Sequence, residues 1–168
     1  MSKDKKKNQK ELSLYGEVDS HMVSKVITFF NNNSPIDNIY YVYLCTEGGE
    51  VDCGFAIYDI FNFIRSKGEQ IEIICVGRCY SIGTLILCSG STVKSLPNTQ
   101  FLVHYGFEVN TTQDEKKQSE AMHKKYVNIL DSNLTVGRRT INSWMSKEKY
   151  FMPDQALKAG LIGEIIGK

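Results

Sequence analysis

A serine enclosed by glycines is where this sequence first offers chemistry. The stretch Gly77-Arg78-Cys79-Tyr80-Ser81-Ile82-Gly83 follows the β-rich run Ile71, Ile73, Ile74, Cys75 and Val76, and it leads into Leu85, Ile86, Leu87 and Cys88 before the turn Ser89-Gly90-Ser91. The pattern predicts a strand, then Ser81, then a helix. A hydroxyl at such a junction suits a nucleophile, because the first N–H groups of a helix lack intrahelical partners and carry the positive end of the dipole. Serine at a helix start is also the ordinary N-cap, and on this stretch alone capping is the simpler reading. A second residue changes that balance. The apolar run Phe101-Leu102-Val103 ends in His104; by itself a histidine there is more often structural or at the surface, whereas beside a serine at a helix start it becomes a candidate base. His21 and His123 fall in polar helical settings and are assigned no role.

The elements that would position these residues alternate. Glu11 to Tyr15 reads as a strand ended by Gly16, and Asp19 or Ser20 is placed to cap a helix with Met22, Val23, Val26, Ile27 and Phe30 on one stripe. Asn31 to Pro35 stops it. Ile39 to Leu44 is an apolar run of aromatic and branched residues, the composition of a strand covered on both faces. It ends in Thr46-Glu47-Gly48-Gly49, where paired glycines let the backbone turn sharply or bring an N–H close to a ligand. A helix from about Val51 to Arg65 and the strand Ile71 to Val76 follow. Such alternation implies a mostly parallel sheet with flanking helices, an α/β fold. Loops at the carboxyl ends of parallel strands share one edge, so Gly48-Gly49 and Ser81 are expected to approach each other.

Further on, Lys94 to Leu96 is a short extended piece and Gln113 to Leu130 a long helix, charged at first and then apolar at Met122, Tyr126, Val127, Ile129 and Leu130. A charged helix with a partial apolar face suggests contact with another subunit. Thr135 to Met145 reads as a helix, Met152-Pro153-Asp154 begins a short one, and Leu161-Ile162 with Ile165-Ile166 looks like a closing strand.

With 20 basic and 19 acidic residues the chain is near charge balance, which gives no indication of nucleic-acid binding by its body. The basic excess sits in residues 1–10, where Lys3, Lys5, Lys6, Lys7 and Lys10 make an expected disordered tail ahead of a single domain over residues 11–168. No secretory h-region or membrane-length apolar run appears, so a cytoplasmic protein is expected. Cys45, Cys53, Cys75, Cys79 and Cys88 are odd in number and scattered through apolar segments, as reduced buried thiols are. They complete no zinc sphere, and no metal site is expected.

In this order the parts resemble the proteolytic subunit family of the Clp protease. Four blocks carry the likeness: Leu14-Tyr15-Gly16-Glu17-Val18 with its helix, Tyr41 to Gly49 with Ile57-Tyr58-Asp59, Gly77 to Gly83, and Leu96-Pro97-Asn98 running to His104. Gln155 to Ile162 adds a weaker fifth. The resemblance implies a crotonase-like fold with a protruding handle helix, and subunits assembled into heptameric rings, stacked face to face around a chamber. It implies a serine endopeptidase acting on polypeptide, with no cofactor of its own. ATP would be used by a hexameric ATPase unfoldase, and Tyr41 and Tyr43 match aromatic positions of the pockets that receive such a partner.

On the same resemblance Ser81 matches the nucleophile and His104 the general base. Gly49 and Ile82 match the two residues whose N–H groups form the oxyanion hole. Counting back from Ala159-Gly160-Leu161, the family's aspartate falls on Glu148, with Asp131 and Asp154 as alternatives. Glu47 stands where the family has proline. Two other functions remain open: a catalytically silent ring subunit that assembles with an active paralogue, and an acyl-thioester enzyme of the wider crotonase fold.

Overall fold

The computed structural model describes residues 8–33, 38–106 and 112–167. Strand β1 (Asn8–Tyr15), helix α1 (Ser20–Asn32), strand β2 (Asn38–Thr46), helix α2 (Val51–Ser66) and strand β3 (Gln70–Tyr80) form the first half. Helix α3 (Gly83–Leu87) and strands β4 (Thr92–Ser95) and β5 (Gln100–Val103) follow, then α4 (Gln113–Asn133), α5 (Arg138–Lys147), β6 (Lys149–Phe151), α6 (Pro153–Lys158) and β7 (Glu164–Ile165). The strands run in the order β1-β2-β3-β4-β7, all parallel, with β5 pairing β3 and β6 pairing β5. Only the β5–β6 ladder is antiparallel among the described strands.

Local chemistry sets the boundaries. Asp19 is the N-cap of α1, its Oδ1 accepting the Met22 N–H at 2.8 Å, which satisfies one donor the helix itself cannot. The stripe Met22, Val26 and Phe30 faces the sheet, and the Phe30 ring meets Tyr40 and Phe61 edge to face at 5.0 and 5.9 Å. Tyr40, Phe61 and Phe101 are wholly buried, and each such ring stabilises the fold by about 1.5–3 kcal/mol through the water it sheds.

Several boundaries and faces differ from the sequence expectation. Asn8, Gln9 and Lys10 belong to β1, so the strand starts three residues before Glu11; residues 1–7 of the expected tail lie outside the described residues. The start of β1 is polar because it is an outer edge whose first four side chains face solvent. Strand β2 was expected to be covered on both faces. Its Tyr40, Val42 and Leu44 are buried, Tyr40 against Phe29 and Phe30 of α1, whereas Ile39, Tyr41, Tyr43 and Cys45 are only half-buried. Helix α4 continues past Leu130 to Asn133 and begins with a capping box in which Glu115 and Thr112 serve each other's backbone N–H. Its first turns protrude into solvent, and it buries only Tyr126, Val127 and Leu130. The closing strand is only Glu164–Ile165, and Leu161 and Ile162 pack in the core instead.

Candidate active site

Strand β3 carries the serine to its position by changing partners. Its first part pairs with β4 from Glu72 to Cys75; a register irregularity follows, with Gly77 at φ +71°, and Arg78, Cys79 and Tyr80 pair with β5 instead. Ser81 extends that last ladder by one rung, its N–H donating to the Leu102 carbonyl at 2.8 Å. The backbone then turns through φ +56° at Ser81, a left-handed conformation that costs a non-glycine residue about 1–3 kcal/mol. The serine is not a cap. Helix α3 has no side-chain cap hydrogen bond, and Ile82 occupies its N-cap position.

The Ser81 carbonyl is held instead. It accepts the Thr84 N–H at 2.9 Å, and the hydroxyls of Thr84 and Tyr126 each lie 2.8 Å from it. The paired glycines do approach, as the shared sheet edge predicts. A β-carbon on Gly48 would sit 2.7 Å from Ser81 Cβ, and Gly48 itself has φ +99°; only glycine fits this contact. Val18 and Gly49 form an isolated parallel bridge in which Val18 N–H donates to Gly48 O and Glu50 N–H to Val18 O, each at 2.8 Å. Pleating alternates the backbone groups, so the Gly49 N–H faces away from Val18. Among the described residues neither the Gly49 nor the Ile82 N–H has a hydrogen-bond acceptor.

His104 follows directly on β5. The β5–β6 ladder pairs Phe101 with Phe151, Leu102 with Tyr150 and Val103 with Lys149, and its next rung sets His104 opposite Glu148. Glu148 ends α5 in a left-handed conformation, φ +53°, and its Oε1 lies 3.8 Å from His104 Nδ1. That is an ion-pair distance, too long for a hydrogen bond, and the buried Nδ1 has no hydrogen-bond partner. Asp131 is engaged elsewhere, taking Arg138 at 2.9 and 3.1 Å. Asp154 lies in the first turn of α6. Glu47 meets Arg78 at 3.2 Å on the surface.

Gly49, Ser81, Ile82 and His104 line one cavity of about 400 Å³, together with Tyr126 and Met122 of α4. Such a site joins a hydroxyl, an imidazole and two free backbone donors, the parts that acyl transfer needs. No hydrogen bond joins the Ser81 hydroxyl to His104 among the described residues. The nearby Cys79 thiol is held well above the ordinary thiol range by burial, which keeps it protonated and unreactive. No group of three or more His, Cys, Asp or Glu side chains among the described residues could hold a metal ion. Nor is any described helix long and apolar enough to cross a membrane. Thr84 and the Tyr126 hydroxyl were not singled out from the sequence; Tyr126 reads there as one apolar residue of a helical stripe.

The family model described as Clp protease matches residues 3–168. The chain is similar to the ATP-dependent Clp protease proteolytic subunit of Deinococcus radiodurans, 29% identical over 159 residues that cover 89% of this chain and 76% of that protein. Among solved structures it resembles a mutant ClpP1 from Listeria monocytogenes, with a TM-score of 0.82 at 19% identity, over 95% of this chain and 92% of that one. At that identity the likeness is one of fold.

Proposed function

Because the chain belongs to the Clp protease family, a family of serine peptidases, we propose that it is an endopeptidase subunit whose nucleophile is Ser81. His104 takes the hydroxyl proton as Ser81 Oγ attacks the scissile carbonyl. Glu148 faces the other ring nitrogen and stabilises the imidazolium that results. The tetrahedral oxygen receives the N–H groups of Gly49 and Ile82, preorganised donors whose loss typically costs about two to three orders of magnitude in rate. His104 then protonates the departing amine, leaving an acyl group on Ser81. Water, deprotonated by the same imidazole, releases it.

The observation that carries this reading is the convergence of Gly49, Ser81, Ile82 and His104 on one cavity. Unfolded polypeptide is the substrate, cleaved in the cytoplasm inside a chamber of heptameric rings. The exposed charged face of α4 and its narrow apolar one suit a helix that meets a neighbouring subunit. A hexameric ATPase supplies unfolded chains, docking beside half-buried Tyr41 and Tyr43, while short peptides enter unaided.

The test is intact-mass analysis after treatment with a fluorophosphonate, with Ser81→Ala alongside. An adduct confined to Ser81 is expected. A folded, assembled protein that takes no adduct, alone or with the ATPase, would refute the hydrolase reading in favour of a silent subunit.

A further inference from the structure

Ser81 and Ile82 share one peptide plane, and the two faces of that unit serve different ends. In a trans peptide the carbonyl and the following N–H point in opposite directions. Whatever grips the Ser81 carbonyl therefore aims the Ile82 N–H. The grip comes from two hydroxyls that are remote in sequence: Tyr126 Oη on α4 and Thr84 Oγ1 on α3, each 2.8 Å from the carbonyl oxygen, with the Thr84 N–H a third donor at 2.9 Å. The two hydroxyls also touch each other. On its other side Ser81 is anchored by its N–H to Leu102.

We propose that Tyr126 and Thr84 are positioning residues that lock the Ser81–Ile82 peptide, holding the Ile82 N–H in the direction that oxyanion stabilisation requires. The inference rests on the reading of Ile82 as an oxyanion donor. Two features support it. Ser81 sits at a strained φ of +56°, a conformation that relaxes unless the surroundings over-determine it. Tyr126 and Thr84 are both buried, and burial keeps the phenol protonated far into the alkaline range, so it remains a donor. Two hydroxyls own two protons for three contacts. At any moment one side of the triangle lacks a proton, and either hydroxyl alone can still serve the carbonyl. The lock is therefore redundant, and it ties the geometry of the nucleophile to the seat of α4.

The test combines kinetics with a signal that needs no turnover. Tyr126→Phe and Thr84→Val keep shape and remove one hydroxyl each. On a fluorogenic peptide, each single variant is expected to lower kcat by about tenfold or less, and the double variant by about 10²–10³, the cost of a lost oxyanion donor. KM stays within about twofold, because the lost interaction belongs to the transition state. Thr84→Ser, which restores the hydroxyl, recovers rate relative to Thr84→Val. A folded double variant with wild-type kcat, or one whose loss lies in KM, overturns the proposal.

The chain contains a single Ser–Ile dipeptide, residues 81 and 82. Labelling serine with ¹³C at the carbonyl and isoleucine with ¹⁵N therefore isolates this one peptide by NMR. The Ser81 carbonyl signal is expected to move upfield in the double variant, and an unmoved signal would refute the lock. Should the wild-type protein neither cleave peptide nor label at Ser81, the peptidase reading fails, and this signal alone decides the lock.

Discussion

Replacing Glu148 by glutamine tests how much an exposed acid contributes to this site. The substitution keeps size and hydrogen-bonding capacity while removing the charge. In the reaction as proposed, that charge acts on the imidazolium formed when His104 takes the serine proton. Glu148 Oε1 lies 3.8 Å from His104 Nδ1, with the glutamate side chain 49% exposed and the histidine 17% exposed. Two unit charges near 4 Å attract by about 1 kcal/mol in water and about 4 kcal/mol at the effective dielectric of a protein surface. Half exposure of the glutamate puts the pair near the lower figure, about 1–2 kcal/mol, consistent with the modest worth of exposed pairs. At about 1.4 kcal/mol per tenfold, Glu148→Gln should lower kcat by about 5- to 30-fold. Removing the acid of a tightly bonded triad costs about 10⁴. The assay is steady-state cleavage of a fluorogenic peptide at two ionic strengths, and the wild-type advantage should shrink as salt screens the pair. An unchanged kcat would refute any role for Glu148 opposite the histidine. A loss beyond about a thousandfold, insensitive to salt, would refute the argument from exposure, since it is the behaviour of a dry, hydrogen-bonded acid.

Three further outcomes follow from the same geometry. Gly48→Ala puts a β-carbon 2.7 Å from Ser81 Cβ and 3.1 Å from the Tyr80 carbonyl at φ +99°; it should cost about 1–3 kcal/mol in urea melts and abolish fluorophosphonate labelling, and a fully labelled variant would refute the tight contact. The Tyr126 phenol is raised above its ordinary value, chiefly by burial, so the folded state holds this proton more tightly than the unfolded one. Its contribution to stability is complete below about pH 10 and is lost as pH rises from there towards the folded value, and Tyr126→Phe should flatten that alkaline decline in urea melts. Asp19→Ala removes the 2.8 Å cap on Met22 and should cost about 1 kcal/mol by chemical denaturation.

The sequence carried the alternation of elements because apolar runs such as Ile39 to Leu44 and Ile71 to Val76 have a clear composition, and glycine, paired at Gly48-Gly49 and single at Gly77, follows each. The places of Ser81 and His104 in the fold were legible for the same reason: each sits where an apolar strand stops. What stayed hidden depends on pairing rather than pattern. Strand β6 is only Lys149–Phe151, too short for any periodicity, yet its register against β5 is what brings Glu148 opposite His104. From the sequence alone Glu148 rested on a family position, with Asp131 and Asp154 left open. The capping role for Ser81 failed because a five-residue helix after a left-handed turn presents its first N–H groups elsewhere. Tyr126 packs like any apolar residue of its stripe, and its hydroxyl acquires meaning only when α4 is laid across α3. The polar start of β1 escaped because an edge strand need not be apolar.

The change of partner at Gly77 divides one strand between two hydrogen-bonded lattices. Before the glycine β3 pairs with β4, which leads on to β7. After it β3 pairs with β5, and through it β6, at whose ends His104 and Glu148 face each other. Strand β2 pairs along both parts, Thr46 with Cys79 included. Loosening the β4–β7 arm weakens the molecule while Ser81 stays in place against Leu102. Sliding β5 by one residue would turn His104 to the opposite face and with it lift Phe101 and Val103 out of the core they occupy. The β4–β7 arm can thus be altered with Ser81 left in register, whereas the arm that seats His104 cannot slide without disturbing the core.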